Sequence, residues 1–216
     1  EVSMSDGWQS YASSQIAIDF DNQFLPLLTN VQPDTGQYMY WYDTISLAFT
    51  GQMDLDSYSD GVILESNQRG VLEYEAEFIQ SNEVAHLIIN PIENYYTDEL
   101  IQISINQQLR DVWNNPFDGN GNGDPDGIAD EDSILFSVNL LGDYDRSSLV
   151  DFEDLITLQQ NWWDETVTPT DEIGPALGTP PFMQIQPDSK MDFEDLMIFV
   201  QMWNWSVGFD YEGGSI

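Results

Sequence analysis

Apolar and polar positions alternate along much of the first two thirds of the chain. Ile16, Ile18 and Phe20 are interleaved with Gln15, Ala17 and Asp19; Leu72, Tyr74, Ala76 and Phe78 with Glu73, Glu75 and Glu77; Ile101, Ile103 and Ile105 with Gln102, Ser104 and Asn106. A strand turns successive side chains to opposite faces, so each segment predicts a strand with one wet face. Residues 24–31, 38–42, 44–50, 61–65, 84–90 and 134–141 add further candidates, the last with Ile134, Phe136, Val138 and Leu140 on one side. About nine short strands, punctuated by Gly, Asn, Asp and Pro and with no amphipathic helix among them, predict a mainly β fold. Residues 1–141 are expected to form an antiparallel β-sandwich of immunoglobulin-like or jelly-roll type.

Beyond residue 142 the period changes. Phe152, Leu155, Ile156, Leu158 and Trp162 fall at helical spacing, and Phe193, Leu196, Met197, Phe199 and Trp203 repeat the pattern. Each helix opens on the same five residues: Asp151-Phe152-Glu153-Asp154-Leu155 returns as Asp192-Phe193-Glu194-Asp195-Leu196. Neither short helix can bury its apolar stripe alone, so residues 142–206 are expected to be a small α-helical domain whose two repeats share one core. Residues 164–181, rich in Thr, Pro and Gly, read as the linker between the repeats. Residues 207–216 are a tail or an added strand, since Val207, Phe209 and Tyr211 alternate; residues 1–13 are a second candidate tail, and either terminus is a candidate to extend a neighbour's sheet edge.

Composition adds a strong constraint. The 216 residues carry 39 acidic and 4 basic side chains (Arg69, Arg110, Arg146 and Lys190), for a formal charge of −35. Self-repulsion on this scale opposes folding, and bound divalent cations relieve it; a halophile's acidic surface is the alternative explanation. The same charge argues against nucleic acid and against an anionic membrane surface, both of which are bound through Lys and Arg. With no Cys, there is neither a disulfide framework nor a thiolate site, and any staple has to be an oxygen-ligated metal. No run approaches the roughly 18 apolar residues of a membrane span, and the chain from Glu1 reads as a mature, soluble product.

The oxygens needed for such a staple are present at regular spacing. Ahead of the first helix, loop positions 1, 3, 5, 9 and 12 are Asp143, Asp145, Ser147, Asp151 and Asp154, with the Leu149 carbonyl at position 7. That spacing wraps one calcium ion and runs into a helix. Position 6, where glycine is usual, is Ser148. Counted the same way, the second loop uses Gln184, Gln186, Asp188, the Lys190 carbonyl, Asp192 and Asp195, with two carboxylates replaced by amides. A third candidate lies between the last two predicted strands, in the Asp-, Asn- and Gly-rich run 118–132. One register places Asn122, Asp124, Asp126 and Asp130 at positions 1, 3, 5 and 9, with Gly127 at position 6. The other starts at Asp118 and uses Asn120, Asn122 and Asp126. A metal-free acidic loop is the alternative there. Two or more calcium ions are expected in all.

The paired loops and helices of 142–205 resemble the dockerin family, tandem calcium-loop-and-helix repeats that plug into cohesin domains. The resemblance implies an extracellular docking role. The sequence departs from the family at the degraded second loop, in the long linker, and at positions 10 and 11, where many dockerins carry small hydroxyl residues. Here those positions hold Phe152 with Glu153 and Phe193 with Glu194, so the usual partner choice does not carry over. The run 118–132 resembles thrombospondin type 3 calcium repeats, and the strand count of 1–141 is similar to that of a cohesin.

Functional expectations follow from these modules. A lone His86 and the absence of Cys leave the usual nucleophile and base pairs without members, and no carboxylate pair stands out for glycoside hydrolysis, so no enzyme is expected. Asp54, Asp56 and Asp60 read as a solvated loop. The leading expectation is an extracellular, calcium-stabilised structural protein that assembles head-to-tail with copies of itself into a fibre or surface layer. One alternative is an adaptor for a separate cohesin- or dockerin-type protein. Another is a carbohydrate-binding protein using Tyr38–Tyr42 with Trp41, Trp162-Trp163 and Trp203-Asn204-Trp205 as glycan platforms. Asn204-Trp205-Ser206 is a glycosylation sequon.

Overall fold

The computed structural model describes residues 25–34, 36, 38–81, 83–163, 168 and 171–208. The strand expected at Ile16, Ile18 and Phe20, the tail 1–13, and Phe209 and Tyr211 lie outside the described residues. The rest is mainly β. In chain order the elements are β1 (Leu28–Gln32), β2 (Tyr38–Met39), β3 (Ile45–Thr50), α1 (Tyr58–Gly61), β4 (Val62–Ser66), β5 (Gly70–Val71), β6 (Tyr74–Gln80), β7 (Val84–Pro91) and β8 (Leu100–Ile105). A 3-10 turn (Gly127–Asp130) precedes β9 (Asp132–Val138), followed by α2 (Phe152–Asn161), β10 (Ala176–Thr179), β11 (Phe182–Ile185) and α3 (Phe193–Ser206).

The first nine strands form two sheets. One has the order β1-β3-β7-β6 and is antiparallel throughout. The other has the order β2-β9-β8-β4-β5 and is antiparallel except that the two-residue β2 runs parallel to β9. Alternation decides which face is dry: Ile45, Leu47 and Phe49 of β3 and Ala85, Leu87 and Ile89 of β7 are buried in one cluster with Leu64 of β4, Ile101, Ile103 and Ile105 of β8, and Phe136 of β9. Burying each large aliphatic side chain stabilises the fold by about 1.5–3 kcal/mol. Tyr74 of β6 donates its hydroxyl to the Val62 carbonyl of β4 at 2.8 Å, a polar tie between the two sheets. Glu75 and Glu77 keep the outer face of the edge strand β6 charged and wet, which opposes further strand pairing.

One ion pair is buried within this region. Glu99, with no exposed surface, accepts Nε and Nη2 of Arg69, both at 2.8 Å, and the Tyr96 backbone N–H at 2.9 Å. The guanidinium also lies 4.4 Å from the centre of the Tyr96 ring.

Several sequence expectations about the elements differ from the structure. The strand expected over 38–42 stops at Met39 because the Asp43 carboxylate caps Tyr40 N–H at 2.7 Å and the Asp43 N–H turns back to the Tyr40 carbonyl at 3.1 Å. The strand expected over 134–141 ends at Val138, where Asn139 N–H turns to the Met39 carbonyl at 2.8 Å and Leu140 and Leu141 enter the core beside the helices. The stretch 164–181, expected to be a linker, contains β10, which pairs with β11 just beyond it to form a hairpin. Gly178 makes the hairpin possible: its φ is +105°, and a Cβ there would sit 2.6 Å from the Phe182 carbonyl oxygen.

That hairpin is docked on the loop before β8. Thr97 N–H donates to the Met183 carbonyl at 3.0 Å, Met183 N–H donates to Thr97 Oγ1 at 3.1 Å, and Thr97 Oγ1 donates to the Pro181 carbonyl at 2.5 Å. Met183 and Ile185 thereby join a buried cluster that continues through Val150, Leu158, Ile173, Ile198, Phe199 and Met202. Gly142 (φ +78°) lets the backbone approach α3 closely, since a Cβ there would meet the Phe199 ring at 2.9 Å.

Candidate metal-binding loops

The first loop is wound around the carboxylate at its first position. Asp143 accepts Ser147 N–H at Oδ1 (3.0 Å) and Ser148 N–H at Oδ2 (2.9 Å), while Asp145 Oδ1 accepts Ser147 N–H at 3.0 Å. Asp154 reaches back from the first turn of α2, taking Tyr144 N–H on Oδ1 at 2.7 Å and Asp151 N–H on Oδ2 at 2.9 Å. Asp151 completes a capping box by accepting Glu153 N–H at 2.9 Å. The result brings ligand oxygens of Asp143, Asp145 and Asp154 within 4.8 Å of one another, a group that can hold a metal ion. Ser147 lies beside them, its hydroxyl donating to the Leu149 carbonyl at 3.2 Å.

Electrostatics favour a cation here. Burial pushes the Asp143 carboxyl up to about 6, with the Asp154 charge adding to the effect, and burial also raises Asp154. Carboxylates crowded out of water take up a proton or a metal.

The second copy repeats this cage with a different first residue. Asp195 Oδ1 accepts Ile173 N–H at 3.0 Å and Gly174 N–H at 2.9 Å, and Oδ2 accepts Asp192 N–H at 2.7 Å, as Asp154 does for Tyr144, Asp145 and Asp151. Asp192 caps Glu194 N–H at 2.9 Å, as Asp151 caps Glu153. The part of Asp143 is taken by Glu172, whose Oε1 accepts Asp188 N–H in a short bond and Ser189 N–H at 2.9 Å. Ser148 (φ +68°) and Ser189 (φ +61°) hold the same left-handed position, where glycine would be free of strain.

Counting back from Asp195 put Gln184 and Gln186 at the head of this loop. The structure instead places Gln184 in β11 opposite Leu177 and ties Gln186 N–H to the Pro175 carbonyl at 2.8 Å. The β10–β11 hairpin is thus an insertion between Gly174 and Asp188, and Glu172, which sequence counting missed, closes the loop from the other side. The available signal was the failure of the count itself, two amides where two carboxylates were due. Asp188 pairs with Lys190 Nζ at 2.6 Å, and that bond holds the Asp188 carboxyl below its ordinary range.

In the third loop, hydrogen bonding follows the register that starts at Asp118. Asp118 accepts Gly121 N–H (2.7 Å) and Gly123 N–H (2.8 Å), and Asn120 Oδ1 accepts Asn122 N–H at 2.9 Å. Gly121 and Gly123, with φ +71° and +85°, match the left-handed Arg146 and Ser148 of the first loop. Asn122 Oδ1 accepts Asp124 N–H at 2.7 Å, and Asp124 and Asp126 are exposed. Among the described residues, the Asp143, Asp145 and Asp154 group is the one set of three acidic or imidazole side chains with metal-ligand spacing.

Other candidates are dispersed. His86 is exposed on β7. Trp41 is buried, Tyr40 and Tyr42 stack on each other at 5.6 Å, and Trp163 is exposed. Among the described residues no helix is long and apolar enough to cross a membrane. A scan of protein-family models and a comparison with curated proteins both find no match to this chain.

Proposed function

We propose that the chain is a calcium-held docking module joined to a β-sandwich, and that copies of it associate head-to-tail, the α2–α3 face of one against the sandwich of the next, into an extracellular structural assembly. The observation that carries this reading is the duplicated cage: backbone N–H groups converge in the same way on Asp154 and Asp195, and on Asp143 and Glu172, each cage leading into a capped helix. This is the dockerin-like arrangement, with Glu172 standing in for a first-position Asp. An all-oxygen donor set of carboxylates, a hydroxyl and a carbonyl, without His or Cys, suits a hard and loosely coordinated cation, which favours calcium over zinc or copper. Sites of this kind fill at the millimolar calcium outside cells.

The binding surface follows from the repeat. Phe152 and Ile156 on α2, and Phe193 and Met197 at the equivalent places on α3, are 59%, 42%, 74% and 62% exposed. Large apolar side chains left in water at matched positions favour a partner-covered face. The two sheets sharing one core support the sandwich, and the Thr97 latch supports a fixed joint between it and the helices. The same face would serve an adaptor for a different protein.

Sedimentation velocity of the full chain distinguishes these. In calcium, the wild type is expected to form larger species as concentration rises, and a chelator or the exposed double substitution Phe152→Asp with Phe193→Asp should return it to monomer. A wild type that remains monomeric in calcium at every concentration contradicts self-assembly and leaves the adaptor reading.

A further inference from the structure

Among the described residues, one buried carboxylate oxygen is left without a partner: Asp130 Oδ1, at the far end of the third loop. Asp130 has no exposed surface. Its Oδ2 accepts Gln107 Nε2 at 2.6 Å and the Asp126 backbone N–H at 2.7 Å, but Oδ1 is buried with no hydrogen-bond partner. The charge of the Asp126 side chain bears directly on this carboxyl. A buried carboxylate oxygen with nothing to accept, beside a second carboxylate, lacks a cation or a proton.

The rest of the loop is arranged to supply the cation's other ligands. Asp118, 2% exposed, is fixed at the opposite end, where its backbone N–H donates to the Pro26 carbonyl at 3.0 Å. Gly119 N–H donates to the Asp130 carbonyl at 3.1 Å, bringing the two ends together, and a Cβ on Gly119 would lie 2.3 Å from that oxygen. Between them Asn120 and Asn122 each direct Nδ2 to the Asp126 carboxylate, at 3.2 and 3.1 Å. The amide oxygens Oδ1 of both residues accept a single backbone N–H, which leaves a lone pair on each.

We propose that the loop from Asp118 to Asp130 binds one divalent cation of the calcium type through Asp118, Asn120, Asn122, Asp126 and Asp130, with Asp130 Oδ1 as its buried anchor. The ion clamps the long β8–β9 connection against Gln107 and the start of the described chain. The site is independent of the duplicated cage, since it shares no residue with it.

Calorimetric titration of calcium into the chelator-stripped full chain tests this, using Asp130→Asn, Asp126→Ala, and Asp143→Ala combined with Asp154→Ala. Asp126 is exposed, so its substitution leaves a folded protein even if Asp130→Asn does not. Either third-loop substitution should remove one calcium, or weaken one site by tenfold or more, while the cage double substitution leaves that site intact. Hydrogen exchange at Gly121 and Gly123 should slow on calcium addition in the wild type and in the cage variant. An unchanged isotherm for folded Asp126→Ala, with no calcium effect on those amides, overturns the proposal and assigns Asp130 a proton instead. Loss of a calcium from Asp126→Ala but not from the cage variant would sink the cage reading and leave this one standing.

Discussion

Replacing Glu172 with alanine removes a buried carboxylate, 4% exposed, on which the N–H groups of Asp188 and Ser189 both converge. A hydrogen bond to a charged group contributes about 1.5–3 kcal/mol to stability. Two donors lose their acceptor here, and some repulsion from neighbouring acids is relieved, so a destabilisation of about 3 kcal/mol is expected in the absence of calcium. For a chain of this size that lowers the midpoint by roughly 6–12 °C. Gln184→Ala, on the half-buried face of β11, should cost about 1 kcal/mol or less. Thermal and urea unfolding in chelator measure both variants. If Gln184→Ala proves as damaging as Glu172→Ala, or if Glu172→Ala stays within about 1 kcal/mol of wild type, the split-loop description is wrong.

Three further outcomes follow. The Asp143 carboxyl, raised from 3.8 to about 6 in the calcium-free fold, binds its proton more tightly folded than unfolded; its contribution is therefore fully present below about pH 4 and is lost as pH rises through 6, by about 3 kcal/mol. Urea titrations in chelator should show that decline, calcium should reverse it above pH 6, and Asp143→Ala should flatten it. Thr97→Val removes the hydroxyl that serves both Met183 N–H and the Pro181 carbonyl, so a loss of about 1–3 kcal/mol is expected, with faster exchange at Met183; unchanged exchange there would contradict the latch. Arg69→Met strands Glu99 in the core without its bidentate partner and should destabilise by about 3–5 kcal/mol, as read by urea unfolding at neutral pH.

How much of this was legible in the sequence depended on whether the signal was local. Ile45, Leu47 and Phe49, or Ile101, Ile103 and Ile105, announce β3 and β8 because one face of each strand is wholly dry. The first loop was readable for the same reason, its ligands falling within one unbroken turn of chain from Asp143 to Asp154. Glu172 was not, because β10 and β11 separate it from Asp188, and because the inserted strands are four residues each with little alternation. The parallel pairing of β2 with β9 spans only Tyr38 and Met39, too short a segment to impose a pattern. The Arg69 and Glu99 pair joins residues on opposite sides of β6 and β7 in the chain, a contact that composition could not locate. The choice of register in the third loop needed the backbone bonds of Asp118, since both registers offer similar side chains.

Electron microscopy of the purified chain, with calcium and then with chelator, tests the central claim most directly. Ordered filaments or layers are expected in calcium, dispersing on chelation and never forming with Asp143→Ala plus Asp154→Ala. Monodisperse particles under both conditions, or assemblies indifferent to chelation and to those substitutions, would contradict it.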